Sequence, residues 1–123
     1  MEKQPNIAIV DDDQSVREAL PDFLAEFGYA VEVFESGEDF LGSDALENTD
    51  CLILDLALLG MSGTDIQEEL SRRGSRIPIV FITAHGDETV RPQLMDNGAI
   101  ECLFKPFTDV ALLDAINLAL RAN

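Results

Sequence analysis

Ile7-Ala8-Ile9-Val10-Asp11-Asp12-Asp13 runs four apolar residues straight into three carboxylates, and the rest of the chain can be read outward from it. The apolar run is too short for a helix and suits a strand buried on both faces, as strands of parallel sheets are. Past the aspartates the period changes. Val16, Leu20, Phe23, Leu24 and Phe27 recur at helical spacing, and Gly28 stops that pattern. Ala30–Phe34 then returns to a short apolar run. Strand, helix and strand in succession make one βα repeat.

The same alternation continues to the end of the chain. Further strands are expected at Cys51–Leu54, Ile79–Thr83 and Ile100–Phe104. Further helices are expected around Glu38–Leu46, Thr64–Arg73, Glu88–Asn97 and Asp109–Ala122, the last with Val110, Leu113, Ile116 and Leu120 on one stripe. Five strands alternating with five helices predict an α/β fold, a doubly wound parallel sheet with helices on both faces and right-handed crossovers. The five-stranded, flavodoxin-like order 2-1-3-4-5 suits this length, as a single domain over residues 1–123. Pro21 and Pro92 fall inside expected helices, where an interior proline costs about 3 kcal/mol. A kink is expected at Pro21, and a place in the first helical turn for Pro92.

Composition bounds the function. At 46% hydrophobic the chain can build a core, and 24 acidic against 8 basic residues give a net charge of −16. Such a surface repels phosphate backbones, so direct nucleic-acid contact and anionic lipid are excluded. No apolar run reaches membrane-spanning length, and Met1-Glu2-Lys3-Gln4-Pro5 has no signal core, so a cytoplasmic location is expected. Cys51 and Cys102 lie in apolar stretches and read as buried reduced thiols rather than a disulfide.

In doubly wound sheets the chemistry lies at the carboxyl ends of the strands, near the point where strand order reverses. The residues expected there are Asp11-Asp12-Asp13 after the first strand, Asp55 after the third, Thr83 ending the fourth, and Lys105-Pro106 after the fifth. Each has a plain reading by itself. The aspartate run makes a turn and a helix N-cap at Asp13, Thr83 a strand-end hydroxyl, and Lys105 a surface lysine. Asp55 is harder to explain away, because an unpaired carboxylate is costly to bury. Gathered on one edge, carboxylates raise one another's pKa unless a cation compensates them, and an all-oxygen site of this kind suits Mg²⁺. A carboxylate nucleophile beside Mg²⁺ points to an aspartyl-phosphate, with the lysine and threonine contacting the phosphoryl oxygens.

These stretches resemble the receiver family of two-component response regulators. The likeness is carried by Ile9-Val10-Asp11-Asp12-Asp13 with Val16-Arg17, Leu54-Asp55-Leu56 with Met61-Ser62-Gly63, Ile82-Thr83-Ala84-His85-Gly86-Asp87, Asn97-Gly98-Ala99 and Lys105-Pro106-Phe107. They span almost the whole chain in the family's order, and Thr-Ala-His-Gly-Asp resembles the FixJ-like group, whose receivers commonly precede a helix-turn-helix domain. The resemblance implies that Asp55 accepts phosphate from a sensor histidine kinase or a small donor such as acetyl phosphate. It implies Mg²⁺ held by Asp12, Asp55 and the Ala57 carbonyl, with Asp11 acting through an intervening water. Thr83 and the Ala84 backbone would contact the phosphoryl group, Lys105 would pair with it, and the Lys105–Pro106 bond would be cis. The implied function is a signalling switch rather than an enzyme, beyond self-catalysed transfer and autodephosphorylation. Its output would be transcription through a downstream DNA-binding domain, with homodimerisation on phosphorylation.

Three positions depart from the family pattern. Leu56-Ala57-Leu58-Leu59-Gly60 lacks the usual proline, and apolar Ala57 and Leu58 are expected to border the phosphate site and alter phosphoryl lifetime. Cys102, after Glu101, replaces the aromatic residue that usually turns inward on activation. Pro92 enters the helix that forms part of the usual output surface. The alternative is a receiver-like docking or dimerisation module that works without phosphorylation. A haloacid-dehalogenase-type phosphatase needs a second aspartate where Ala57 stands. A nucleotide-binding domain needs a glycine-rich first turn where this chain has aspartates.

Overall fold

A computed structural model describes residues 4–84 and 89–122. The strands are β1 (Asn6–Val10), β2 (Ala30–Phe34), β3 (Cys51–Asp55), β4 (Ile79–Thr83) and β5 (Glu101–Phe104). Among the described residues the helices are α1 (Gln14–Ala25), α2 (Gly37–Leu41), α3 (Ala45–Asn48), α4 (Gly63–Arg72), α5 (Val90–Asp96) and α6 (Asp109–Arg121). The strands form one parallel sheet in the order β2-β1-β3-β4-β5, as the βα alternation requires.

Strand pleating divides the core into two layers. Ile7, Ile9, Cys51, Ile53, Val80 and Ile82 face α1 and α6, where they meet Leu24, Leu112, Ala115, Ile116 and Ala119. Ala8, Val10, Leu52, Leu54, Phe81 and Cys102 face the other side, against Phe40, Ile66, Leu70 and Leu94. The central strands β3 and β4 are buried along their whole length. Each large apolar side chain sealed there contributes about 1.5–3 kcal/mol.

The segment expected as one helix over Glu38–Leu46 is two, so the described residues form six helices rather than five. Gly42 caps α2, and the Ser43 hydroxyl donates to the Phe40 carbonyl while accepting from the Ala45 N–H. A serine satisfying backbone groups on both sides of itself closes one helix and opens the next. Pro92 lies in the first turn of α5, where helical N–H groups have no intrahelical acceptor, so the lost donor is tolerated. α1 runs on through Pro21. The expected start at Glu88, the motif residues His85, Gly86 and Asp87, Met1 to Lys3 and Asn123 lie outside the described residues. No described helix is long and apolar enough to cross a membrane.

Side-chain caps mark where the chain leaves the carboxyl edge of the sheet. Asp13 caps α1 by accepting from the Ser15 N–H, and Thr108 caps α6 by accepting from the Ala111 N–H. Ser62 and Asp65 form a reciprocal capping box on α4. Gly63, inside that box, packs so closely that a Cβ would sit 2.8 Å from the Asp55 carbonyl oxygen and 2.9 Å from the Leu56 Cα. Its lack of a side chain lets α4 start directly against the end of β3.

Candidate functional site

Parallel register brings the strand ends together. Val10 pairs with Phe34 and Leu54, Asp55 with Ile82, and Thr83 with Phe104. The next residues therefore emerge side by side. Asp11 extends β1 by one bond, its N–H donating to the Phe34 carbonyl, and its side chain is fully buried. One carboxylate oxygen accepts from the Asp13 N–H at 2.9 Å, and the other accepts from Lys105 Nζ at 2.9 Å. Asp12 stays exposed.

Asp55 closes β3 and is 5% exposed. Its Oδ1 accepts from the Ala57 N–H at 3.1 Å, and its Oδ2 lies 3.7 Å from Lys105 Nζ. Burial, reinforced by the neighbouring Asp11 charge, pushes this carboxyl up to about 6, against the pull of the Ala57 N–H and Lys105. At Lys105 burial acts to lower the pKa. The hydrogen bond to Asp11 and the charges of Asp55 and Asp11 outweigh it and leave the ammonium raised. Thr83 is buried at the end of β4, with exposed Ala84 just beyond it, and the Lys105 N–H donates to the Thr83 carbonyl at 2.7 Å. The Lys105–Pro106 peptide bond is cis.

Carboxylate oxygens of Asp11, Asp12 and Asp55 lie within 4.8 Å of one another. Three carboxylates face one ammonium, so negative charge is left over, and it adds to the burial that raises the Asp55 carboxyl. A donor set of oxygens with excess negative charge and one exposed member fits a hard divalent cation such as Mg²⁺.

Residues 7–117 match the response regulator receiver domain family. The chain belongs to this family. Among relatives of this receiver domain are the transcriptional regulatory protein TdiR of Thauera aromatica, 39% identical over 117 residues, and nodulation protein W of Bradyrhizobium diazoefficiens, 43% identical over 110. These alignments cover 95% and 89% of the receiver but 52% and 48% of the relatives, so it spans about half their length. Its fold matches the response regulator StyR with a TM-score of 0.91 at 47% identity, covering 98% of this chain and 61% of that one. It matches FixJ-N with 0.88 at 32%, covering 99% and 98%.

The receiver fold thus brings Asp11, Asp12, Asp55, Thr83 and Lys105 to one edge, as their strand-end positions imply. Leu58 turns inward and is 8% exposed, so only Ala57 of the apolar pair stands open next to Asp55, and Leu59 faces solvent. Cys102 is buried in the layer under α5, its N–H donating to the Glu101 carboxylate, which also accepts from Arg91. One residue of the site had no role in the sequence reading: Arg17, whose Nη1 donates to the Asp11 carbonyl at 3.0 Å. The clue was positional, since Arg17 lies one helical turn beyond the Asp13 cap.

Proposed function

We propose that this receiver takes a phosphoryl group onto Asp55 from a phosphohistidine of a sensor kinase, in a Mg²⁺-dependent transfer that resets a protein–protein surface. The observation that carries this reading is the Asp11–Asp12–Asp55 oxygen cluster with one lysine pointed at both buried carboxylates. An Asp55 oxygen attacks phosphorus as the P–N bond breaks, and the bond's electron pair leaves with the imidazole, which takes up a proton. Held at about 6, Asp55 is mainly the carboxylate at neutral pH and so able to attack. Asp12, Asp55 and the Ala57 carbonyl, backed by Asp11 through water, would hold Mg²⁺, whose charge offsets that of the phosphoryl oxygens when it is bound. Lys105 adds a second positive contact from its anchor on Asp11. The Thr83 hydroxyl and Ala84 N–H supply donors from the end of β4.

The switch then works by differential contact: a phosphoryl group that pairs with Lys105 and Thr83 favours the arrangement of β4 and β5 that brings them in. Cys102 offers no ring to swing inward, so the response travels through the Thr83 end of β4 and the α5–β5 face without an aromatic relay. The half-length match to the transcriptional regulatory protein TdiR supports an output domain in the whole protein, with transcription as the output and phosphorylation-linked dimerisation as its means. The receiver unit itself takes up residues 1–123.

Incubation with Mg²⁺ and acetyl phosphate, followed by intact mass measurement, tests the proposal. Wild type should gain one phosphoryl group and Asp55→Asn none. No gain in either protein would favour a docking module that works without phosphorylation, a reading to which Cys102 gives some support.

A further inference from the structure

Arg17 reaches back from the first turns of α1 over the loop that carries the aspartates. Nη1 donates to the Asp11 carbonyl at 3.0 Å, and Nη2 lies 3.6 Å from a Glu35 carboxylate oxygen just past β2. The arginine side chain is only 17% exposed, while Glu35 is 75% exposed, so the inner contact is the sheltered one. A fixed positive charge beside a cation site opposes the cation. Any favourable contribution of Arg17 to that site must therefore be geometric.

The geometry is specific. The Asp11 N–H is held by Phe34, and its carboxylate by Asp13 and Lys105. Its carbonyl is the one remaining backbone group, and Arg17 takes it. Because a peptide unit is planar, fixing that carbonyl also fixes the nitrogen of Asp12, and with it the direction from which Asp12 leaves the loop. Asp12 is the exposed member of the carboxylate trio. We propose that Arg17 is a positioning residue for the cation site, holding the Asp11–Asp12 peptide so that the Asp12 carboxylate stands toward Asp11 and Asp55. This rests on the Mg²⁺-dependent function above.

Electrostatics and positioning predict opposite signs, which makes the test sharp. Mg²⁺ alone is titrated calorimetrically into wild type, Arg17→Gln, Arg17→Lys and Glu35→Gln, each shown to be folded by its denaturation curve. Positioning predicts binding roughly tenfold weaker in Arg17→Gln, the range seen when a partner behind a metal ligand is lost. Arg17→Lys, which keeps the charge but lacks the planar guanidinium that aims Nη1 at the Asp11 carbonyl, should weaken it severalfold. Glu35→Gln should change it less than about twofold, since an exposed pair fixes little. Unchanged or tighter binding in Arg17→Gln overturns the proposal, because a mere surface charge would give that result. Should Arg17→Gln fail to fold, wild-type affinity in Arg17→Lys overturns it instead. The two readings fail separately. A wild type that binds Mg²⁺ but gains no phosphoryl group sinks the function and leaves the Arg17 result standing. A phosphorylated wild type with an unaffected Arg17→Gln sinks only the positioning role.

Discussion

An aspartate stands at each end of β3, and the two live in different surroundings. Asp50, just before the strand, accepts the Asn6 N–H at 2.8 Å, while its own N–H donates to the Asn6 carbonyl at 2.8 Å. This half-buried carboxylate closes the amino edge of the sheet by giving a backbone donor its acceptor. Asp55, at the other end, is more deeply buried and has one backbone donor and an ammonium at 3.7 Å. A second buried carboxylate, Asp11, takes the shorter contact with that ammonium. One end of the strand uses its charge to finish the structure. The other holds charge that the protein alone does not neutralise, as the proposed cation and phosphoryl site requires.

Breaking the lysine contact should have the largest effect. Lys105→Met leaves Asp11 buried with its cation gone and should destabilise the divalent-free protein by about 3 kcal/mol in urea unfolding followed by circular dichroism. Asp55→Asn should act in the opposite direction. The folded carboxyl is raised from 3.8 to about 6, so between those values the native state binds the proton more tightly than the unfolded chain. Stability from this group is therefore full below about pH 4 and is lost as pH rises through about 6. In divalent-free buffer at neutral pH Asp55→Asn should gain on the order of 1–2 kcal/mol, allowing for water at the open edge. The variant's advantage should shrink as pH falls through about 6 and flatten below about 4, and an advantage that grows with acid would contradict the assignment. Asp50→Ala should show the smallest change, a loss of about 1 kcal/mol, because it strips an acceptor from the Asn6 N–H. A gain there would erase the contrast between the two ends.

Most of this architecture was legible because it follows from period and order. Ile7–Val10 and Ile79–Thr83 are short apolar runs with no helical alternative, and parallel topology forces their ends onto one edge. What local pattern could not supply was orientation. Asp11, Asp12 and Asp13 are chemically alike, and only the end of β1 and the start of α1 decide that the first is buried, the second exposed and the third a cap. Leu58 read as a border of the site, yet it turns inward and joins the core layer that holds Leu54 and Ile66, between exposed Ala57 and Leu59. Glu38–Leu46 had the composition of one helix, and the bonds made by Ser43 divided it. Arg17 was visible as part of a motif, but a side chain that bonds to a carbonyl six residues earlier leaves no periodic trace.

Each apolar layer also carries one native thiol. Cys51 lies beneath α1 and α6, with burial pushing it up to about 12, and Cys102 lies in the opposite layer, also raised by burial. Neither is a ready nucleophile in the closed fold, because the reactive species is the thiolate. Alkylation of one or the other therefore reports which face of the sheet has opened, giving the molecule a built-in label on each side.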